Sequence, residues 1–259
     1  MRFLGIDLGW SSGASGVCCL SWEQETLKLL NLERRLDATA VLAWVDHWLP
    51  IPMPGLVAVD APTRITNPTG MRRCDRDAHR RFGRYHAGCY PANLSSSFAP
   101  HTTSFGHQLE ARGFSHGPDL VAQQAGRYQI EVFPHAAMIS LFELPRILKY
   151  KKGRLSHRRP ELEKLRHLLQ TRLCQLKPAL QPLDLPPVPM GGSALKDLED
   201  RLDSLLCAYV GAYYWWWGCD RNWVLGHPHP EQASPEPAPA GYIVVPALPG
   251  WDPQHQKAP

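Results

Sequence analysis

Two short apolar runs, the first interrupted by Asp7 and closed by Gly9, the second ended by Asp60, constrain this chain most. Residues 2–8 (R-F-L-G-I-D-L) and 56–59 (L-V-A-V, followed by Asp60) are too short and too closely bounded by turn formers to be helices. They read as strands, the second fully apolar and so buried on both faces in the middle of a helix-covered sheet. The segment G-W-S-S-G-A-S joins the first run to a second one over 16–22, which predicts a β-hairpin opening the domain. Between the hairpin and the second aspartate, the spacing predicts a helix over 38–49. Val41, Trp44, Val45 and Trp48 share its face, and Pro50, Pro52 and Pro54 stop it. Strand, strand, helix, strand is the opening of a mixed α/β sheet.

The 259 residues suit one large α/β domain better than two, and 44% apolar with 20% charged residues excludes wholesale disorder or a fibrous class. Seven cysteines without C-x-x-C spacing suggest neither a disulfide framework nor a zinc knuckle. With no signal-like core and no run near the ~20 apolar residues of a membrane span, the chain reads as soluble and cytoplasmic, without a membrane partner. The net charge of +4 does not by itself indicate nucleic acid.

From 63 to 128 the composition turns to Gly, Ser, Pro, His and Arg, with a helix expected over 72–82; this reads as a long Arg-rich insertion over the sheet's active edge. A strand follows over 128–133 and an amphipathic helix over 161–176. A proline-rich connector spans 178–189. A long helix is expected over 194–217, with Ser193 as N-cap and Leu198, Leu202, Leu205 and Tyr209 packed on the sheet. The chain closes with a Pro-rich loop over 226–241, a strand over 242–245 and a frayed tail over 251–259.

Asp7 and Asp60 end strands that would meet at one edge of the sheet, the usual site position in an open α/β fold, although each could instead cap a turn. Lys196, Asp200 and Asp203 lie on one stripe of the long helix, whereas Asp197 and Glu199 suit its positive end. Four such carboxylates would repel one another unless they held a divalent cation, which could position a water nucleophile for phosphodiester cleavage.

This arrangement resembles the RNase H-like superfamily as used by RuvC-type Holliday junction resolvases. G-I-D-L-G-W, V-A-V-D-A-P, R-R-C-D-R-D-A-H-R-R, E-V-F-P-H-A, K-D-L-E-D-R-L-D-S-L-L-C-A and G-Y-I-V-V-P together resemble the family called domain of unknown function 429, described as predicted RNase H-like nucleases. The resemblance implies an RNase H-like mixed sheet flanked by helices, and two-metal hydrolysis of nucleic acid with Mg²⁺ or Mn²⁺. It implies Asp7, Asp60, Asp200 and Asp203 as metal ligands. Ser204 stands where resolvase-like helices usually carry alanine. Glu131 is open between a fifth ligand, a general base and a surface-facing strand residue, and His135 between a proton shuttle and a merely hydrogen-bonded side chain.

Arg73, Arg76, Arg80 and Arg84 fall on one helical face. With Arg72 and Lys196 they are the candidate phosphate contacts, unless Asp75 and Asp77 simply pair with them on a solvated face. The basic run from Lys149 to Arg159 reads as an exposed loop, and the aromatic block from Tyr213 to Trp217 as core or a homodimer contact. The expected function is therefore a metal-dependent nuclease acting on nucleic acid or another phosphate-containing substrate. D-L-G-W-S-S-G also resembles the phosphate loop of actin-like kinases, which leaves an ATP-dependent phosphotransferase or a non-catalytic nucleotide binder as alternatives.

Overall fold

In a computed structural model, residues 1–11, 13–227 and 241–250 are described. The proline-rich loop apart from its ends, the expected tail and Ser12 of the first turn lie outside them. Strands β1 (Arg2–Asp7) and β2 (Ser15–Glu23) form the expected hairpin, and β3 (Thr26–Arg35) extends it. β3 is not anticipated from the sequence. Its turn carries no Gly or Asn; Gln24 and Glu25 themselves take φ of 47° and 62°, and its half-buried residues give weak alternation. Helix α1 (Ala38–Trp48), N-capped by Asp37, buries Val41, Trp44 and Val45, and β4 (Gly55–Val59) is buried throughout.

The stretch after β4 holds α2 (Arg73–Phe82), where the basic periodicity places it, and also α3 (Ala99–Glu110) and the two-residue β5 (Ser115–His116). β6 (Arg127–Glu131) and α4 (Pro134–Phe142) follow. Helix α5 (Leu155–Arg172) starts six residues before the expected position and runs through Pro160 in its second turn, giving up one backbone hydrogen bond there. The last helix, α6 (Gly192–Trp217), has Gly191 as N-cap, so Ser193 lies inside the first turn and not at the cap. Strands β7 (Asn222–Leu225) and β8 (Ile243–Pro246) pair as a separate antiparallel ribbon. No helix among the described residues is long and apolar enough to cross a membrane.

The main sheet has the order β3-β2-β1-β4-β6-β5, antiparallel through β3-β2-β1 and parallel from β1 onward. Strand alternation divides its side chains between two cores. Leu4, Ile6, Val57 and Val59 pack with α1 and α3 through Val41, Trp44, Phe105 and Leu109. Phe3, Leu56, Ala58 and Ile130 pack on the other face with α6, outside which lie Leu162, Leu165 and Leu169 of α5.

Small residues, rather than the expected leucine stripe, bring α6 onto the sheet. A Cβ on Gly5 would strike the Ser204 carbonyl and Ala208, one on Gly16 the Asp200 carbonyl, and Gly211 lies against Leu56 and Ala58. Backbone contact with β1 and β2 therefore needs glycine at these strand positions. Tyr209 instead sends its hydroxyl to the Pro178 carbonyl at 2.9 Å. Tyr213 and Tyr214 of the aromatic block are buried, and Trp215 packs against Phe3 and Trp22, so most of the block is core.

Candidate active site

The C-terminal edge of the parallel strands collects the acids. Asp7 ends β1 and Asp60 follows its parallel neighbour β4, with the Asp60 N–H donating to the Ile6 carbonyl at 2.8 Å. Alternation puts both on the α6 face, the face of Phe3 and Ala58. Asp7 pairs across β2 with Gly16, the glycine beneath the Asp200 carbonyl. Close packing of α6 thus brings Asp200 and Asp203 to the same edge, where both act electrostatically on Asp7.

The charges are not left to repel one another, as the sequence alone suggested. Asp200 is clamped by Arg34 of β3 at 2.9 Å and by Lys196 at 2.6 Å. Asp203, fully buried, accepts a 2.7 Å hydrogen bond from the Tyr150 hydroxyl on Oδ1. Its Oδ2 accepts no hydrogen bond; Lys151 Nζ stands 2.7 Å away as counter-charge. The carboxylates of Asp7 and Asp60 take no hydrogen bond from a described residue, and Lys151 is the strongest charge acting on each.

Burial drives the protonation equilibria. It pushes Asp7 well above the ordinary carboxylate range, against Lys151 and with help from Asp203 and Asp60. It pushes Asp60 up to about 6, again opposed by Lys151. Burial by itself would lower Lys151, but Asp203 and Asp7 outweigh it and hold the ammonium well above its usual value. His135, on the same cavity wall, is brought down to about 4 by burial and by Lys151, and is therefore neutral at pH 7.

Lys149, Lys152 and Arg154 are exposed, as expected of the basic loop, but Lys151 and Arg158 are not. The segment between α4 and α5 turns inward because Tyr150 is fully buried, and Lys151 enters the acidic cluster with it. Arg158 is also committed, donating to the Tyr150 carbonyl at 2.7 Å and pairing with buried Glu199 at 3.0 Å. That pair and Lys196 at 2.8 Å give Glu199 specific partners beyond the helix dipole.

Glu131 and Arg72 have different surroundings from those expected. Glu131 is opposite Val59 on β6, so alternation turns it to the other face of the sheet from Asp60, yet it lines the same cavity and Asp60 acts on its carboxyl. Arg72, only 3% exposed, grips it with bonds of 2.6 and 2.8 Å and holds Asp75 at 2.7 Å. Burial pushes Glu131 up to about 7, with Arg72 opposing. The guanidinium also donates to the Arg64 carbonyl at 3.0 Å, so Arg72 ties α2 to the sheet and has no donor to spare for a phosphate. Glu131 is correspondingly not on the surface. Arg73 and Arg80 remain exposed, sharing Asp77 at 4.0 and 3.4 Å, and Arg76 donates to the Met71 carbonyl at 2.6 Å.

A cavity of about 850 Å³ joins these groups. Asp7, Asp60, Asp200 and Lys151 line one part, Trp10, Phe133 and Ile147 form apolar wall, and Lys149, Lys152 and Tyr90 also border it. Lys152 Nζ lies 3.1 Å from the Tyr90 hydroxyl. As the side chains stand, no group of three acidic, histidine or cysteine side chains among the described residues is arranged around a common cation position. The donors are carboxylate oxygens, the type that a hard divalent ion takes, but they are not gathered around one position. Asp7 and Asp60 offer oxygens free of hydrogen bonds, and Asp203 Oδ2 already faces a cation, the Lys151 ammonium.

No curated protein and no solved structure gives a significant match to this chain. The model of one family, described as Protein of unknown function (DUF429), matches residues 5–229, and the chain belongs to that family.

Proposed function

We propose that the protein is a metal-dependent phosphoester hydrolase with an RNase H-like fold, acting on phosphodiester bonds of nucleic acid with Mg²⁺ or Mn²⁺. The observation that carries this reading is the pair of half-buried carboxylates, Asp7 and Asp60, that border the cavity at the strand edge which Asp200 and Asp203 also reach. The sheet order, with an antiparallel hairpin leading into parallel strands and a long acidic helix packed across β1, supports the RNase H-like assignment.

Asp7, Asp60 and Asp203 would hold the ion, and Asp200, clamped by Arg34 and Lys196, would fix the helix end of the site. Once bound, a divalent ion supplies an activated water and stabilises charge on the phosphate oxygens. The chain's own groups do the rest. Lys149 and Lys152 border the cavity where they attract a phosphate, Trp10 and Phe133 exclude water beside it, and His135, held neutral, offers a hydrogen-bonding ring on the cavity wall.

The test is a panel of single-stranded, duplex, hybrid and branched substrates with Mg²⁺ or Mn²⁺. Metal-dependent cleavage of one class is expected. ATP turnover without cleavage would replace this reading with a phosphotransferase.

A further inference from the structure

We propose that the cavity admits one unpaired nucleotide, its base stacked on the ring of Tyr90 and its phosphate held by Lys149 and Lys152. This rests on the nucleic-acid reading above and names the form of the substrate, but it depends on no metal.

Tyr90 is mounted firmly and packed on little. Buried Ala87 and Ala92 anchor its loop on either side, the Ala87 N–H donating to the Phe82 carbonyl at 3.2 Å and the Ala92 N–H to the Asp75 carboxylate at 3.1 Å. Between these anchors Tyr90 lines the cavity and is 68% exposed. The other aromatic walls are taken up, Trp10 by Phe98 at 4.7 Å between ring centres and Phe133 by His135 at 5.8 Å. Tyr90 stacks on no ring among the described residues. Its contact is Lys152, whose Nζ lies 3.1 Å from the hydroxyl oxygen and 5.6 Å from the ring centre. Those two distances put the ammonium beyond the hydroxyl and near the ring plane, so it covers neither face.

Exposure alone would mean little; the charge beside the ring gives it direction. Lys149 and Lys152 line the cavity, are exposed, and pair with no carboxylate among the described residues. Lys151 between them stands 2.7 Å from Asp203. Asp7, Asp60 and Asp200 line the cavity as well and would repel an anion from their own part of it. The lysine rim therefore presents a planar ring and free cations together, and a nucleotide presents a planar base and an anion on one sugar. At about 850 Å³ the cavity falls among small-ligand pockets, which run to about 1,000 Å³. It has room for one such unit and not for a duplex. Because neighbouring bases cover both faces of a base within a duplex, Tyr90 can stack only on one that is unpaired or turned out of the helix.

The test is fluorescence anisotropy at low salt in EDTA, with a labelled single-stranded oligonucleotide and an abasic strand of the same length. Wild type should bind the normal strand about 10-fold more tightly than the abasic one, the order of affinity that a stacked base adds. Tyr90→Ala, a change at an exposed position that should not disturb the fold, should erase this difference by weakening the normal strand alone. Tyr90→Phe keeps the ring and should keep the difference. Lys149→Gln with Lys152→Gln should weaken both strands in parallel. No strand binding by wild type, no difference between the strands, a difference that survives Tyr90→Ala or disappears in Tyr90→Phe, or unchanged binding by the double lysine variant overturns the proposal. Any of these beside Mn²⁺-dependent cleavage leaves the hydrolase reading standing. Discrimination between the strands without cleavage of any substrate overturns that reading and leaves the base site.

Discussion

Arg72 and Glu131 form a two-bond ion pair at 2.6 and 2.8 Å, with both side chains almost wholly withdrawn from solvent. The pair joins the start of α2 to the end of β6 and, through Asp75, also receives the Ala92 N–H at 3.1 Å. It holds the Arg-rich segment beside the cavity. Arg72→Met would leave two buried carboxylates without their partner and should cost about 3–5 kcal/mol in urea denaturation. Glu131→Gln should cost less, about 1–3 kcal/mol, and leave Mn²⁺ affinity unchanged. A loss of Mn²⁺ affinity in Glu131→Gln would restore Glu131 as a ligand.

Asp60 makes the stability depend on pH. Its folded-state pKa is raised from 3.8 to about 6, chiefly by burial. The folded protein therefore holds a proton that the unfolded chain has lost, and this contribution to stability disappears as pH rises from about 4 through about 6. Relative to wild type, Asp60→Asn should gain stability across that window, levelling at about 3 kcal/mol above it. Denaturation curves at pH 4, 5, 6 and 7 measure the difference; a gap that does not widen with pH contradicts the assignment.

The glycines under α6 set the acids in place. Gly16→Ala would drive a methyl into the Asp200 carbonyl. A loss of about 1–3 kcal/mol is expected, as for overpacking elsewhere, together with weaker Mn²⁺ binding. Unchanged stability would mean that α6 can move away from the sheet without cost.

Much of the sheet is legible in the sequence because strand signals are local. The run 56–59 reads as buried by its own composition, and Asp60 and Asp7 close their strands visibly. The register that sets Asp7 beside Asp60 needs the parallel pairing itself. β3 is hidden because its turn uses Gln24 and Glu25 at positive φ, and β7 because it pairs only with a strand far along the chain. On the site, spacing can place Asp200 and Asp203 on one face of a helix, but not Lys151 among them. The only trace of its position is Tyr150, a large apolar ring inside a basic run, which a solvated loop would not require. Arg72 is obscured for the opposite reason: in sequence it is one of several arginines, and only the fold shows it buried against Glu131.

The exposed arginines of α2 should act through counterion release. If the substrate is a polyanion, Arg73→Ala, Arg76→Ala and Arg80→Ala together should flatten the dependence of log K on log salt, by up to about 0.9 for each duplex phosphate that the triple variant no longer neutralises. Fluorescence anisotropy across a salt series gives the slope, and an unaltered slope would make this face a solvated one with local pairing to Asp77.

The most direct test is the rate of Mn²⁺-dependent phosphodiester cleavage by wild type and Asp7→Asn, purified side by side. Asp7 is central to the carboxylate cluster, and losing its charge should lower cleavage at least ~10²-fold while the fold persists, because the substitution also relieves repulsion from Asp203 and Asp60. Cleavage by wild type that is lost in a folded Asp7→Asn protein is the predicted result. Equal cleavage by the two proteins would contradict the account.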